Sequence, residues 1–144
     1  MWRKLLSWSR LLLLFFARKV EEVWNYQLHF ALKNHGNARI DSFQLDLDFP
    51  AIFSSLSSAF ISHERIDRRT PSRRFFQVTE TNAANHIILP DDEKRVFLLD
   101  YGVTKEMLKD PATMRETFTV RLRQGDQAPK EWRYNISDYI KLNV

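Results

Sequence analysis

The chain contains no cysteine. That excludes disulfides, thiolate catalysis and cysteine-ligated zinc or iron–sulfur centres, and it is compatible with a reducing compartment. Glycine is scarce: Gly36, Gly102 and Gly125 stand far apart. They cannot form a phosphate-cradling loop, and no serine nucleophile motif is present. A long hydrophobic run is also missing. The longest uninterrupted apolar stretch, residues 11–17, has seven residues, whereas a membrane-spanning helix needs ~20. Phe16-Ala17-Arg18-Lys19 lacks the small residues of a cleavage site, so a cleaved signal peptide is not expected. There are no internal repeats and no low-complexity tract.

What is present describes a single globular domain. The 144 residues are 44% hydrophobic and 13% aromatic, enough for a real core. The net charge of +4 is local in origin. Residues 1–24 carry +3 and residues 51–75 carry +3, leaving −2 on the remainder. Two basic features of this kind do not make a general nucleic-acid-binding surface.

Residues 1–23 read as an amphipathic helix. At helical spacing, Trp2, Leu5, Leu6, Leu12, Leu13, Phe16, Val20, Val23 and Trp24 share one sector, with Arg3, Lys4, Arg10, Arg18, Glu21 and Glu22 opposite. The polar side also holds Trp8, Leu11, Leu14 and Phe15. An apolar streak on the wet face marks a docking surface for a protein partner, a second copy or a membrane. The basic rim of Arg3, Lys4, Arg10, Arg18 and Lys19 suits an anionic membrane surface.

Residues 24–144 read as β-structure. Residues 24–33 alternate, with Trp24, Tyr26, Leu28, Phe30 and Leu32 on one face. Residues 34–37 form a turn in which Gly36 and the asparagines tolerate positive φ. Residues 43–49 alternate without error up to Pro50. Residues 51–60 suit a short helix, and an Arg-rich loop follows to Arg74. Further strands are expected at 75–80, 86–89, 95–101, 116–124 and 131–142, the last with a bulge near Ser137. Thr104 is placed to cap a short helix over 104–109. Seven strands with hairpin-like spacing predict an antiparallel β-sandwich, with a small closed barrel as the alternative.

Phe30-Ala31-Leu32-Lys33-Asn34-His35-Gly36-Asn37-Ala38, followed by the alternating strand to Phe49-Pro50, resembles the first hairpin of bacterial immunoglobulin-like domains. The resemblance covers about 25 residues. It implies an immunoglobulin-like sandwich with a non-enzymatic binding or spacer role, and it transfers no functional residues.

The Arg-rich loop is the second candidate site. Arg65, Arg68, Arg69, Arg73 and Arg74 offer bidentate guanidinium contacts to phosphate, with Phe75 or Phe76 as a stacking surface for a base. The plain alternative is a solvated loop paired with outward-facing Asp46 and Asp48. Asp91, Asp92 and Glu93 have no EF-hand spacing, and His29, His35, His63 and His86 are scattered. No metal, cofactor or catalytic residue is expected. The expectation is a non-catalytic interaction protein, docking through Trp8, Leu11, Leu14 and Phe15 on a protein partner or its own copy. It would be cytoplasmic, or peripheral at the inner face of a membrane. Nucleotide or nucleic-acid binding through the arginines is a further alternative.

Overall fold

The computed structural model describes residues 9–20, 23–59, 63–65, 72–79 and 87–140. The protein is mainly β. Strands β1 (Ser9–Val20), β2 (Val23–Asn34), β7 (Glu93–Thr104) and β4 (Ser54–Ala59) form one sheet in the order β1-β2-β7-β4. Strands β5 (His63–Arg65), β6 (Arg73–Thr79), β3 (Gln44–Pro50), β8 (Thr117–Arg123) and β9 (Lys130–Asn135) form the other, in the order β5-β6-β3-β8-β9. Every pairing is antiparallel. Among the described residues, no helix is long and apolar enough to cross a membrane.

The two sheets share one core. Alternation on β2 sends Tyr26, Leu28, Phe30 and Leu32 inward, and β7 adds Phe97, Leu99, Tyr101 and Val103. From the other sheet come Leu45, Leu47 and Phe49 of β3, Phe76 and Val78 of β6, and Phe118, Val120 and Leu122 of β8. Phe49 packs across the core in a tilted contact with Tyr101 at 5.2 Å, and Phe76 with Phe97 at 5.8 Å.

The expected helix over residues 1–23 is replaced, over Ser9–Val20, by β1. Residues 1–8 and 21–22 lie outside the described residues. β1 pairs with β2 in unbroken register from Ser9↔Asn34 to Val20↔Val23. The physical reason is the run at 11–17. An apolar residue at every position satisfies a buried strand as well as a helix, and the adjacent β2 offers a full ladder of hydrogen bonds. Ser9–Val20 is therefore a member of the sheet.

Three local expectations are corrected in the same way. Ser54–Ala59 forms strand β4 against β7, not a helix. Its serines favour neither helix nor core, and β7 pairs with one side of the strand at Ser54 and again from Ser57 to Ala59. The region expected as a strand at 86–89 contributes one isolated bridge, Ile40↔Ile88, while His86 lies outside the described residues. The register break near Ser137 is not a bulge: β9 ends at Asn135 and a 3-10 helix spans Ile136–Tyr139. Helix α1 (Lys105–Lys109) is capped as expected, Thr104 Oγ1 accepting from the Met107 amide. A second short helix, α2 (Pro111–Met114), follows with Asp110 as its cap.

The 3-10 segment is held from beneath by two tyrosines. Tyr101 donates to the Tyr139 carbonyl at 2.8 Å, and Tyr26 donates to the Ile140 carbonyl at 3.0 Å. Burial raises the Tyr26 pKa to about 12 and pushes Tyr101 up further, with help from neighbouring Tyr26 and Tyr139. Burial also raises Tyr134 and Tyr139. All four tyrosines of the chain are thus harder to ionise when folded. A raised folded pKa gives stability that is complete below the unfolded value of 10.0 and lost as pH climbs through about 12. Tyrosinate absorbance should therefore rise at higher pH in buffer than in urea, in step with loss of folded signal. Coincident curves in the two solvents would contradict the buried hydroxyls.

Candidate functional site

The four sheet edges differ in a way that bears on binding. β4 has six residues with a register break between Ser54 and Ser57, and β5 has three residues. β9 carries Lys130, Glu131 and Arg133. Short, irregular or charged edges resist pairing with another chain. β1 is different: it has twelve residues and an apolar centre, and among the described residues β2 is its one neighbour. Its basic residues stand at the ends, Arg10 before the apolar run and Arg18 and Lys19 after it.

The predicted docking residues redistribute on this strand. Leu11 is 8% exposed and belongs to the core, not to a partner surface. In register, Leu14 stands opposite His29 and Phe15 opposite Leu28. Trp8 lies outside the described residues. The helical grouping of Trp8, Leu11, Leu14 and Phe15 on one side does not survive over β1, because a strand sorts residues by twos. The membrane-surface alternative needs an amphipathic helix, and residues 9–20 are strand.

The arginines also separate. Arg73 is used inside the fold. Its Nε meets Asp48 Oδ1 at 2.7 Å and its Nη1 meets Glu116 Oε2 at 3.2 Å. Its Nη2 donates to the carbonyls of Asp48 and Thr117. The guanidinium therefore ties β6 to β3 and β8. Arg74 lies over the Phe76 ring at 5.7 Å. Arg65 is on β5, opposite Phe75, while Arg68 and Arg69 lie outside the described residues. The pairing with Asp48 expected of a solvated loop is realised by Arg73.

A second surface was not singled out from the sequence. The outer face of the five-stranded sheet bears a groove of about 560 Å³, lined by Gln44, Asp46, Phe75, Gln77, Arg121 and Glu131 among others. Asp46 sits at its centre, accepting from Gln44 Nε2 at 3.0 Å and from Gln77 Nε2 at 3.0 Å. Arg121 stands opposite Asp46 on one side and Glu131 on the other. Phe75 is half-buried at the groove. The outward positions of β3 and β8 were legible in the sequence, but not that β6 would flank β3.

The opposite sheet carries a short polar chain on its outer face. His29 Nε2 is hydrogen-bonded to Gln27 Oε1, and Gln27 Nε2 donates to Asp100 Oδ1 at 2.9 Å. Burial and nearby Arg95 hold the His29 pKa below its usual value, with Asp100 opposing them. The amide between imidazole and carboxylate joins β2 to β7 and keeps the two ionisable groups apart.

No family model matches the chain, and no curated protein matches it. Among solved structures, it is similar to a glycoside hydrolase family 20 exo-β-N-acetylglucosaminidase from Vibrio harveyi in complex with N-acetylglucosamine. The identity is 12% and the TM-score 0.37, over 88% of this chain and 17% of that one. An inactive mutant of the same enzyme gives the same figures. The chain spans about a sixth of the length of those enzymes, and likeness of this degree does not define a fold family.

Proposed function

We infer that this chain is a non-catalytic binding protein of immunoglobulin-like build that docks on a protein partner by accepting an extended segment of it along β1. The contrast among the sheet edges carries the reading: of the four edge strands among the described residues, β1 alone is both long and apolar. Its backbone groups on the side away from β2 are a template for strand addition. The immunoglobulin-like part is supported by the orders β1-β2-β7-β4 and β6-β3-β8-β9, which resemble the two sheets of that class. β4 preceding β6 in the chain is a departure from it.

The charges favour a different protein over a second copy. An antiparallel overlap of β1 with itself, centred on its apolar run, sets Arg10 near Arg18 of the other copy. Like charges directly opposite destabilise a strand pair. A segment with an apolar centre and acidic ends has no such conflict.

The test is fluorescence anisotropy with two labelled peptides. Both have alternating valine and threonine; one is flanked by glutamates, the other by lysines. The glutamate peptide is expected to bind at least about tenfold more tightly, with the gap closing as salt rises. Single prolines at residues 12 to 16 should fall into two alternating sets. One set lowers Tm by breaking the β2 ladder; the other holds Tm and abolishes peptide binding. Equal binding of the two peptides, or a stable dimer in place of a 17.2 kDa monomer, would overturn the reading.

A further inference from the structure

We propose that the groove on the five-stranded sheet is a binding site for a neutral, hydroxyl-rich ligand, a short stretch of saccharide. It lies on the sheet that does not contain β1, so it stands independently of strand docking.

The argument is one of exclusion followed by fit. The groove carries the carboxylates of Asp46, Asp48 and Glu131 against the guanidinium of Arg121, while Arg73 is bound to Asp48. Among the lining side chains the balance is negative, which disfavours a phosphate or another anion beside Asp46, although Arg123 and Arg133 stand in register with Gln44 and Thr119 at the margin. A metal ion is poorly served. Asp46 is occupied by two amide donors, and Arg121 stands in register between Asp46 and Glu131. An apolar ligand would strand the polar lining without hydrogen bonds.

A hydroxyl is both donor and acceptor, and this surface presents both kinds of partner side by side. Gln44 and Gln77 offer amides, Asp46 and Glu131 accept, and Arg121 donates. They sit on neighbouring strands ~4.8 Å apart, which makes a lattice of polar groups rather than one point of contact. Phe75 supplies the other requirement. The C–H face of a sugar ring is apolar, and an aromatic ring is a flat surface on which it can rest. The amides already bonded to Asp46 hold that carboxylate in place before a ligand arrives, which lowers the ordering penalty of binding. A volume of about 560 Å³ is within the range of small-molecule sites and takes a short oligosaccharide.

The experiment is native affinity electrophoresis of the full chain through gels containing hydroxyethylcellulose, galactomannan, xyloglucan, dextran or polygalacturonate. At least one neutral polymer should retard the protein, and polygalacturonate should not. Phe75→Ala and Gln77→Ala should each weaken the retardation at least about tenfold. Because Phe75 is half-buried, Thr119→Arg serves as a second probe: it fills the groove from an outward position of β8 and should abolish retardation at unchanged Tm. The proposal fails if no neutral polymer retards the protein. It also fails if polygalacturonate alone does, or if Gln77→Ala and Thr119→Arg migrate as the parent does.

Discussion

Phe49→Ala should remove about 3–5 kcal/mol of stability, the largest loss expected of any single side chain here. Phe49 is fully buried at the end of β3. Its ring touches those of Phe53, Tyr101 and Phe118 at 5.4, 5.2 and 5.4 Å. Those neighbours come from the turn before β4, from β7 and from β8, so one ring fastens parts of both sheets. Truncation leaves a void that flanking strands cannot collapse into without breaking their ladders. For a domain of this size the loss corresponds to a fall in Tm of roughly 10 °C or more. Phe49→Leu should recover more than half of it. Calorimetry showing a fall of only a degree or two for Phe49→Ala would mean that the two sheets do not meet at this ring.

Asn34→Ala should cost about 2–4 kcal/mol by a different route, through hydrogen bonds left unmade. The side chain is buried and saturated. Its Nδ2 donates to the Ala38 carbonyl at 2.7 Å and to the Ile88 carbonyl at 3.0 Å, while its Oδ1 accepts from the Gly36 amide at 2.9 Å. The backbone of Asn34 is also tied, to Asp92 and Asp91. Removing the amide strips the Gly36 N–H and the Ala38 carbonyl of their partner, while the Ile88 carbonyl keeps only the Ile40 amide. Amide exchange separates the parts: Gly36 should lose protection, and Asp91 should keep most of its own. Asn34→Asp should not rescue stability. It restores an acceptor for Gly36 but turns a carboxylate toward two carbonyl oxygens. A variant as stable as the parent would show that the connection from β2 to β3 does not depend on this side chain.

Asn34 also shows what could and could not be read from the sequence. The turn itself was legible in Asn34-His35-Gly36-Asn37, but its mechanism was misassigned. None of these residues adopts positive φ; among the described residues that conformation falls on Asp91 and Gly125. Asp91 follows Pro90 in a turn closed by Asp92 donating to the Leu89 carbonyl, where a type II geometry demands it. β3 and β8 were readable because one face is buried and the other wetter, and β2 because its residues alternate in sequence, although both of its faces are covered from Leu28 to Leu32. β1 was not, because a run that is apolar at every position carries no period. β4 was not, because serine marks neither face.

The candidate sites show the same division. Charge is visible in a sequence, but pairing is not. The arginines were evident as a cluster, yet Arg73 finds Asp48 and Glu116 only because β6, β3 and β8 lie side by side. The polar groove has no local motif at all. Gln44 and Asp46 are near each other in sequence, whereas Gln77, Arg121 and Glu131 reach them through the strand order.

The tyrosine clasp at the 3-10 helix has a consequence for synthesis. The Tyr26 hydroxyl is bonded to a carbonyl 114 positions later in the chain. While the chain is being made, β1 and β2 emerge early and can pair, but the cavity beneath them stays open until Ile140 has left the ribosome. Contacts so distant in sequence form slowly, since the loop they close is long. During that interval the buried face of the first hairpin is bare and its apolar edge is unguarded. A ribosome stalled short of Ile140 would therefore display an unfinished core.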